Sequence, residues 1–410
     1  MSNSRWINLL AVYLVIVGSS LPYAGWSPSL AVISFDLDLS YAQAGSISSV
    51  TGLVAGLMLL AGGALAARWG SKRIIVAGLV AGVAGQLVFA MADGFGSVIA
   101  GRILAGLSVG FMWVGSFTMA ADWFRASKQT GRALGILASG DGVGALLSLF
   151  AFSAALVAIG WRLGLAVQAA WLSAVLVFVL IFSKNAPSLD ADLAATNYPH
   201  QEAKKPASKR SVMKRNVLSA LIFWFGSIGL FSAIASWMPT ILVENAGFSA
   251  SHAGLLTSSF SIAGMVAALG GPLIAERLGS KKRVVVVGGI VSGVAVALVT
   301  TFVAADNYVA VALLIPVIGL GMYSGEPLIL AEAIESVSGR YAGIVNGVIL
   351  GFPWVVSGVA YPYVIGLVRD VTGSFVGGFL AVSVATILLC GVSPLFIRDS
   401  SPSVKVAAAA

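Results

Sequence analysis

Twelve apolar runs, each long enough to cross a bilayer as a helix, take up most of this chain. They fall at roughly 7–33, 43–66, 74–91, 97–121, 132–158, 162–182, 216–242, 252–275, 284–304, 308–332, 341–367 and 373–397. A hydrocarbon core about 30 Å thick needs about 20 helical residues. Membrane barrel strands are about half that length and alternate in polarity, whereas these runs are apolar on every face. The expected fold class is therefore an all-α polytopic membrane protein of twelve transmembrane helices.

Composition agrees. Only 10% of the 410 residues are charged and 58% are hydrophobic, against about 25% charged in a soluble domain. Too little polar surface exists to cover a globule in water. The net charge of +8 does not point to nucleic acid, because the basic residues lie in short loops between the runs. Of the 24 Lys and Arg, all but Arg102, Arg162 and Arg369 fall on one side of the membrane. Basic loops stay in the cytosol, so both termini are expected there, in a multi-pass protein of the cell membrane. Arg5 precedes a first run that reads as a retained helix rather than a cleaved signal, and the final four alanines carry no argument.

One cysteine, Cys390, and two histidines, His200 and His252, leave no material for a disulfide, a thiolate metal site or a histidine cluster. No phosphate-binding G-x-x-x-x-G-K-[ST] loop is present. These observations argue against a membrane enzyme or an ATP-driven pump, and no metal or cofactor is expected. The one long hydrophilic stretch, 184–215, reads as a flexible cytosolic tether. It separates an N-terminal six-helix bundle, 1–183, from a C-terminal one, 216–398, followed by a tail, 399–410.

The two halves are copies. GGALAARWGSKR begins at Gly62 and GPLIAERLGSKKR at Gly271, so that Arg68, Gly70, Ser71 and Lys72 fall on Arg277, Gly279, Ser280 and Lys281 at an offset of 209. Likewise Ser40, Ala44 and Gly45 match Ser249, Ala253 and Gly254, GRALGI from Gly131 matches GRYAGI from Gly339, and Trp26 and Pro28 match Trp237 and Pro239. Six spans per half give both halves the same orientation, a parallel repeat about an axis along the membrane normal.

With those residues in place, the chain resembles the major facilitator superfamily along essentially its whole length. The family's G-x-L-a-D-r-x-G-r-k loop is matched by Gly63, Leu65, Ala67, Arg68, Gly70 and Lys72, with Ala67 at the acidic position. It is matched again by Glu276, Arg277, Gly279 and Lys281. RILAGLSVG from Arg102 is similar to the family's R-x-x-x-G-x-x-x-G stretch. The resemblance implies a secondary transporter working by alternating access as a monomer, with a small solute, protons and the bilayer as its partners. It also implies that the loop residues Arg68, Gly70, Lys72, Glu276, Arg277, Gly279 and Lys281 act as gates. With Ala67 unable to latch, Asp122 is expected to pair with Arg68 or Lys72. Glu332 and Glu335 read as solvated loop charges.

Charges inside hydrocarbon cost about 2.5–3.5 kcal/mol on insertion scales, which makes them functional candidates. Three stand out: Arg102 in span four, Asp141 in span five and Glu326 in span ten. At about 1.5 Å per residue, Asp141 lies roughly 15 Å and Glu326 roughly 10 Å from the cytosolic end of its helix. Arg102 sits in the outer third, too far along the axis to pair with Asp141. Asp141 or Glu326 is expected to carry the coupling proton, the alternative being a carboxyl tied to neighbouring helices. Arg102 occupies a position that the resemblance associates with proton relay or substrate, the alternative being a tie to backbone carbonyls.

Tyr23, Trp26, Trp113, Trp237, Tyr323 and Trp354 are candidate cavity aromatics, with lipid-facing anchors as the other reading. Asn346 is a candidate substrate donor or helix–helix contact. Pro28, Pro239, Pro327 and Pro353 are expected to kink their helices. In span five, Gly140, Asp141, Gly142, Val143, Gly144 and Ala145 stand where antiporters of the family carry G-P-x-x-G-G, a departure that weakens an efflux reading. SWMPTILVENAGFSASHAGLL from Ser236 is similar to a region of proton-coupled organic-anion carriers. A lone intramembrane arginine fits a monovalent anion better than a multivalent one. Proton symport of a small monovalent organic anion is the expected function, with proton-coupled drug or metabolite efflux and uncoupled uniport as alternatives.

Overall fold

The computed structural model describes residues 2–125, 130–185, 209–336 and 339–397. Twelve spans follow one another in the expected order. The first is Ser2–Ala24, continued through one 3-10 turn, Ser27–Ser29, into Leu30–Asp36; the second is Tyr41–Trp69, the third Ser71–Ala90 and the fourth Phe95–Arg125. The fifth is Thr130–Leu146, a π turn over Leu147–Ala151 and Phe152–Ile159; the sixth is Trp161–Phe182. The second half contributes Lys209–Ala246, Ala250–Leu278, Lys281–Ala304, Tyr308–Glu335 and Gly339–Thr372 as spans seven to eleven. Span twelve is Val376–Thr386 with a π turn, Ile387–Val392, and a 3-10 turn, Ser393–Phe396.

Eleven of these are long and apolar enough to cross a membrane, while the apolar part of span five is shorter, Ser139–Ala151. Gly140, Asp141, Gly142 and Gly144 dilute its hydropathy. The tether expected to end at Arg215 gives way earlier, because span seven starts at Lys209; residues 186–208 lie outside the described residues. Span seven thus opens with the basic segment KRSVMKR before it becomes apolar.

The duplication shows in the local chemistry of the loops. Ser40 caps span two, accepting from the Gln43 amide while the Gln43 side chain accepts from Ser40 N at 2.9 Å. Its counterpart Ser249 caps span eight, accepting from His252 N. Such caps are worth about 1 kcal/mol each. Gly70 and Gly279, at matched positions, both have positive φ, 82° and 62°, which turns the chain out of one span and into the next without a Cβ clash. This pair of turns lies on the face that carries the basic loops, called the basic face below; the opposite face is the far face.

Described contacts between the halves run from mid-membrane to the far face. Ser49 Oγ donates to Val359 O at 2.6 Å and Ser236 Oγ to Ser48 Oγ at 2.7 Å. At the far end Asp370 accepts from the backbone N–H groups of Tyr41 and Ala42, 2.9 and 2.7 Å away, and so caps span two across the interface. Tyr41 Oη donates to Glu244 at 3.0 Å, which lies 3.9 Å from the Arg369 guanidinium. Spans five and eight meet where a Cβ on Gly254 would stand 1.6 Å from Leu149 O. The far face is closed.

That last contact gives a direct test of closure. Gly254→Ala is expected to hold the far face open. In a Cys390→Ser background, a cysteine introduced at Ala235 in the cavity should then react with a membrane-impermeant maleimide from the far side. It should stay unreactive from that side without the Gly254 change.

Candidate functional site

Span one breaks at Ala24–Ser29, and the break is where the polar side chains of the first half converge. Pro28 has no N–H to offer the preceding turn, so carbonyls that a continuous helix would satisfy are released. Each finds a side-chain donor. The Arg102 Nη2 donates to Pro22 O, Trp26 Nε1 to Tyr23 O at 2.8 Å, Ser27 Oγ to Ala24 O at 3.0 Å and Gln168 Nε2 to Gly25 O at 3.0 Å. Gln86 donates in turn to Gln168. Arg102 Nε also donates to Thr51 Oγ1 at 3.1 Å, and the guanidinium carbon lies 5.4 Å from the ring centres of both Trp26 and Phe89.

Arg102 is therefore fully buried and bound to protein on several sides. It is not among the residues that line the cavity between the halves. Its geometry matches the other reading, a cation tying span four to a backbone carbonyl, that of Pro22 in span one, and to Thr51 in span two. Trp26 and Trp237 are likewise fully buried and outside the cavity. The Trp237 indole donates to Pro362 O at 2.9 Å, and its ring packs on Tyr41 and Phe375. Two of the candidate aromatics thus stitch helices together on the far side.

Between the halves lies a cavity with about 180 Å³ open to the centres of water-sized groups. Tyr23, Trp113, Tyr323 and Trp354 line it, as do Asp141 from the first half and Glu326 from the second. Glu326 accepts from Ser227 Oγ, whereas no described residue is hydrogen-bonded to Asp141. One carboxyl from each half thus faces the same enclosure. No Lys, Arg or His belongs to the described lining. The Asn346 side chain falls outside the described residues.

Several lining residues carry no intramembrane charge and gave no sequence signal: Trp224, Phe231, Phe260, Ser19 and Thr257. Phe231 is central among them, stacked on Tyr23 at 5.5 Å and edge-on to Trp354 at 6.0 Å. Tyr23 also donates or accepts across the interface with Ser232 Oγ at 3.2 Å. Gln86 and Gln168 are polar groups within apolar spans, which is the one sequence signal that points to them.

The loop residues remain within their own halves where their partners are described. Lys72 Nζ donates to Ser183 O at 2.6 Å and Leu180 O at 3.0 Å, and its amide donates to Asn185 Oδ1. It is thus committed to the end of span six rather than to Asp122, which sits half-buried at the end of span four. Arg68, Glu276 and Arg277 are exposed. Lys281 pairs with Glu332 at 2.9 Å, and Glu332 is only 3% exposed, which corrects its reading as a solvated loop charge. A carboxylate buried there requires its cation. The Glu335 side chain lies outside the described residues.

A sequence profile of the Major Facilitator Superfamily matches residues 12–362. The chain is 22% identical to a nitrite extrusion protein of Bacillus subtilis over 93% of its own length and 92% of the relative's. It is 24% identical to a hexuronate transporter of the same organism, over 91% and 90%. Among solved structures it is similar to a bacterial homologue of the human lysosomal transporter Spinster, in an inward-facing and unoccupied conformation. That likeness has a TM-score of 0.74 at 15% identity and covers 97% of both chains.

Proposed function

Because the chain belongs to the major facilitator superfamily, we propose that its secondary transport of a small solute is driven by protons carried on Asp141 and Glu326. One observation supports this above the others: a carboxyl from each half faces a single interfacial cavity, and no described basic side chain lines it. In an apolar enclosure a carboxylate is stable only with a proton or a cation beside it. Proton and solute then compete for the same two groups, and competition at an alternating site produces exchange. Exchange is the preferred coupling here.

Monovalent-anion symport is the second reading; the names of the nitrite and hexuronate relatives favour an anion as the solute. In that reading the carboxyls accept an anion only when protonated, so that proton and solute travel together. With Arg102 committed to Pro22 and Thr51, such an anion would meet no fixed cation in the described lining.

The basic face is assigned to the cytosol on the positive-inside rule, in a cell membrane, with both termini inside and the protein acting as a monomer. The far-face closure then corresponds to an inward-facing state. The loops around Gly70 and Gly279 act as cytosolic gates, with Arg68, Lys72, Glu276 and Arg277 re-pairing across the halves as the other state forms. Glu332 and Lys281 belong to the same gate.

Proteoliposomes with external pH recorded during solute addition test the coupling. Acidification outside as solute enters is expected. Alkalinisation with an organic acid establishes the symport reading instead, and solute movement with no pH change overturns proton coupling altogether.

A further inference from the structure

Resting on the proton-coupled reading, we propose that the cavity recognises a small monovalent organic cation bearing an aromatic or quaternary ammonium group. Tyr23, Phe231 and Trp354 form a connected aromatic wall, Tyr23 lying 5.2 Å from Trp354 and 5.5 Å from Phe231. Phe260 and Tyr323 extend it, their rings 5.6 Å apart. Ring faces attract cations, and enclosures of several rings hold quaternary ammonium groups that have no N–H to donate. Asp141 and Glu326 supply the negative charge in the same space.

The alternatives fit this lining less well. An anion would bring like charge toward two carboxylates with no described basic group to offset it. A neutral sugar could hydrogen-bond to Ser19, Ser20, Tyr23, Thr257, Ser261 or Tyr323, but it would leave the charge of the two carboxyls unbalanced. Asp141, with no described hydrogen-bond partner, is the group most in need of a positive charge. Glu326 lines the same cavity and accepts from Ser227.

Equilibrium dialysis on the full-length protein in detergent at pH 8 decides this. The probes are phenyltrimethylammonium, its neutral isostere tert-butylbenzene, and benzoate. Phenyltrimethylammonium is expected to bind at least tenfold more tightly than either of the others. Asp141→Asn and Glu326→Gln should each weaken it about tenfold, Phe231→Leu should weaken it severalfold, and Asp141→Glu should restore most of the affinity.

Equal or tighter binding of benzoate, binding of none of the three, or cation binding indifferent to both carboxyl substitutions overturns the assignment. The comparison among probes on the unsubstituted protein stands even where a variant does not fold. Binding in detergent needs no gradient, so the two readings fail separately. Loss of cation selectivity with pH coupling intact removes only the substrate class. Cation binding and movement without proton flux removes only the coupling.

Discussion

Asp141→Asn combined with Glu326→Gln is expected to abolish uphill transport, with any residual counterflow confined to raised solute concentrations, because the same two groups bind the solute. With one proton exchanged per solute, a pH difference of two units sustains about a hundredfold accumulation, since each tenfold ratio corresponds to about 1.4 kcal/mol. In the double variant that ratio should collapse to about one. Both carboxyls face the cavity, and their amide replacements conserve shape, so the bundle should assemble. Accumulation of radiolabelled solute in vesicles with an imposed pH difference, alongside counterflow without one, separates the outcomes. Retained accumulation would remove both groups from the coupling.

The second large effect concerns Arg102. Arg102→Leu should destabilise the protein by about 3 kcal/mol, the loss of two charge-assisted hydrogen bonds, because Pro22 O and Thr51 would lose their donor in a dry setting. Thermal unfolding in detergent should show a drop of several degrees. Solute affinity of the folded fraction should be unchanged. A substrate-clamping arginine gives the reverse pattern, a stable protein with lost affinity. Arg102→Lys, which keeps the charge but not the forked donors, should fall between wild type and Arg102→Leu in stability.

The twelve spans were legible because hydropathy is a sum over about twenty residues, and no single position decides it. The repeat was legible for a related reason: loop turns need particular residues at fixed offsets, and Gly70 and Gly279 with their positive φ are such residues. The site was only half legible. Asp141 and Glu326 could be found from charge alone, since few carboxyls lie inside apolar runs.

Which way a side chain points was not legible in spans that are apolar all round, because they carry no polar stripe from which to orient them. Tyr23 and Trp26 are three residues apart, a spacing that puts both on one face of a regular helix. The helix ends between them at Ala24, so one ring lines the cavity and the other is buried on the far side. Glu332 was misread for a similar reason: it is near the end of span ten in sequence, yet Lys281 and the bundle enclose it. Arg102 stands out in the sequence as a charge within an apolar run, but its carbonyl partner, Pro22 O, is available only because span one breaks.

That break has no counterpart in the second half. Trp237 and Pro239 repeat Trp26 and Pro28, yet Lys209–Ala246 runs through Pro239 as one helix. An ancestral doubling that began with identical arms has thus left one jointed limb and one stiff one, although the joint's own letters survive in both. A synthetic protein made by fusing two copies of residues 1–183 would carry two joints, and would be the natural specimen in which to learn whether transport tolerates symmetry or depends on its loss.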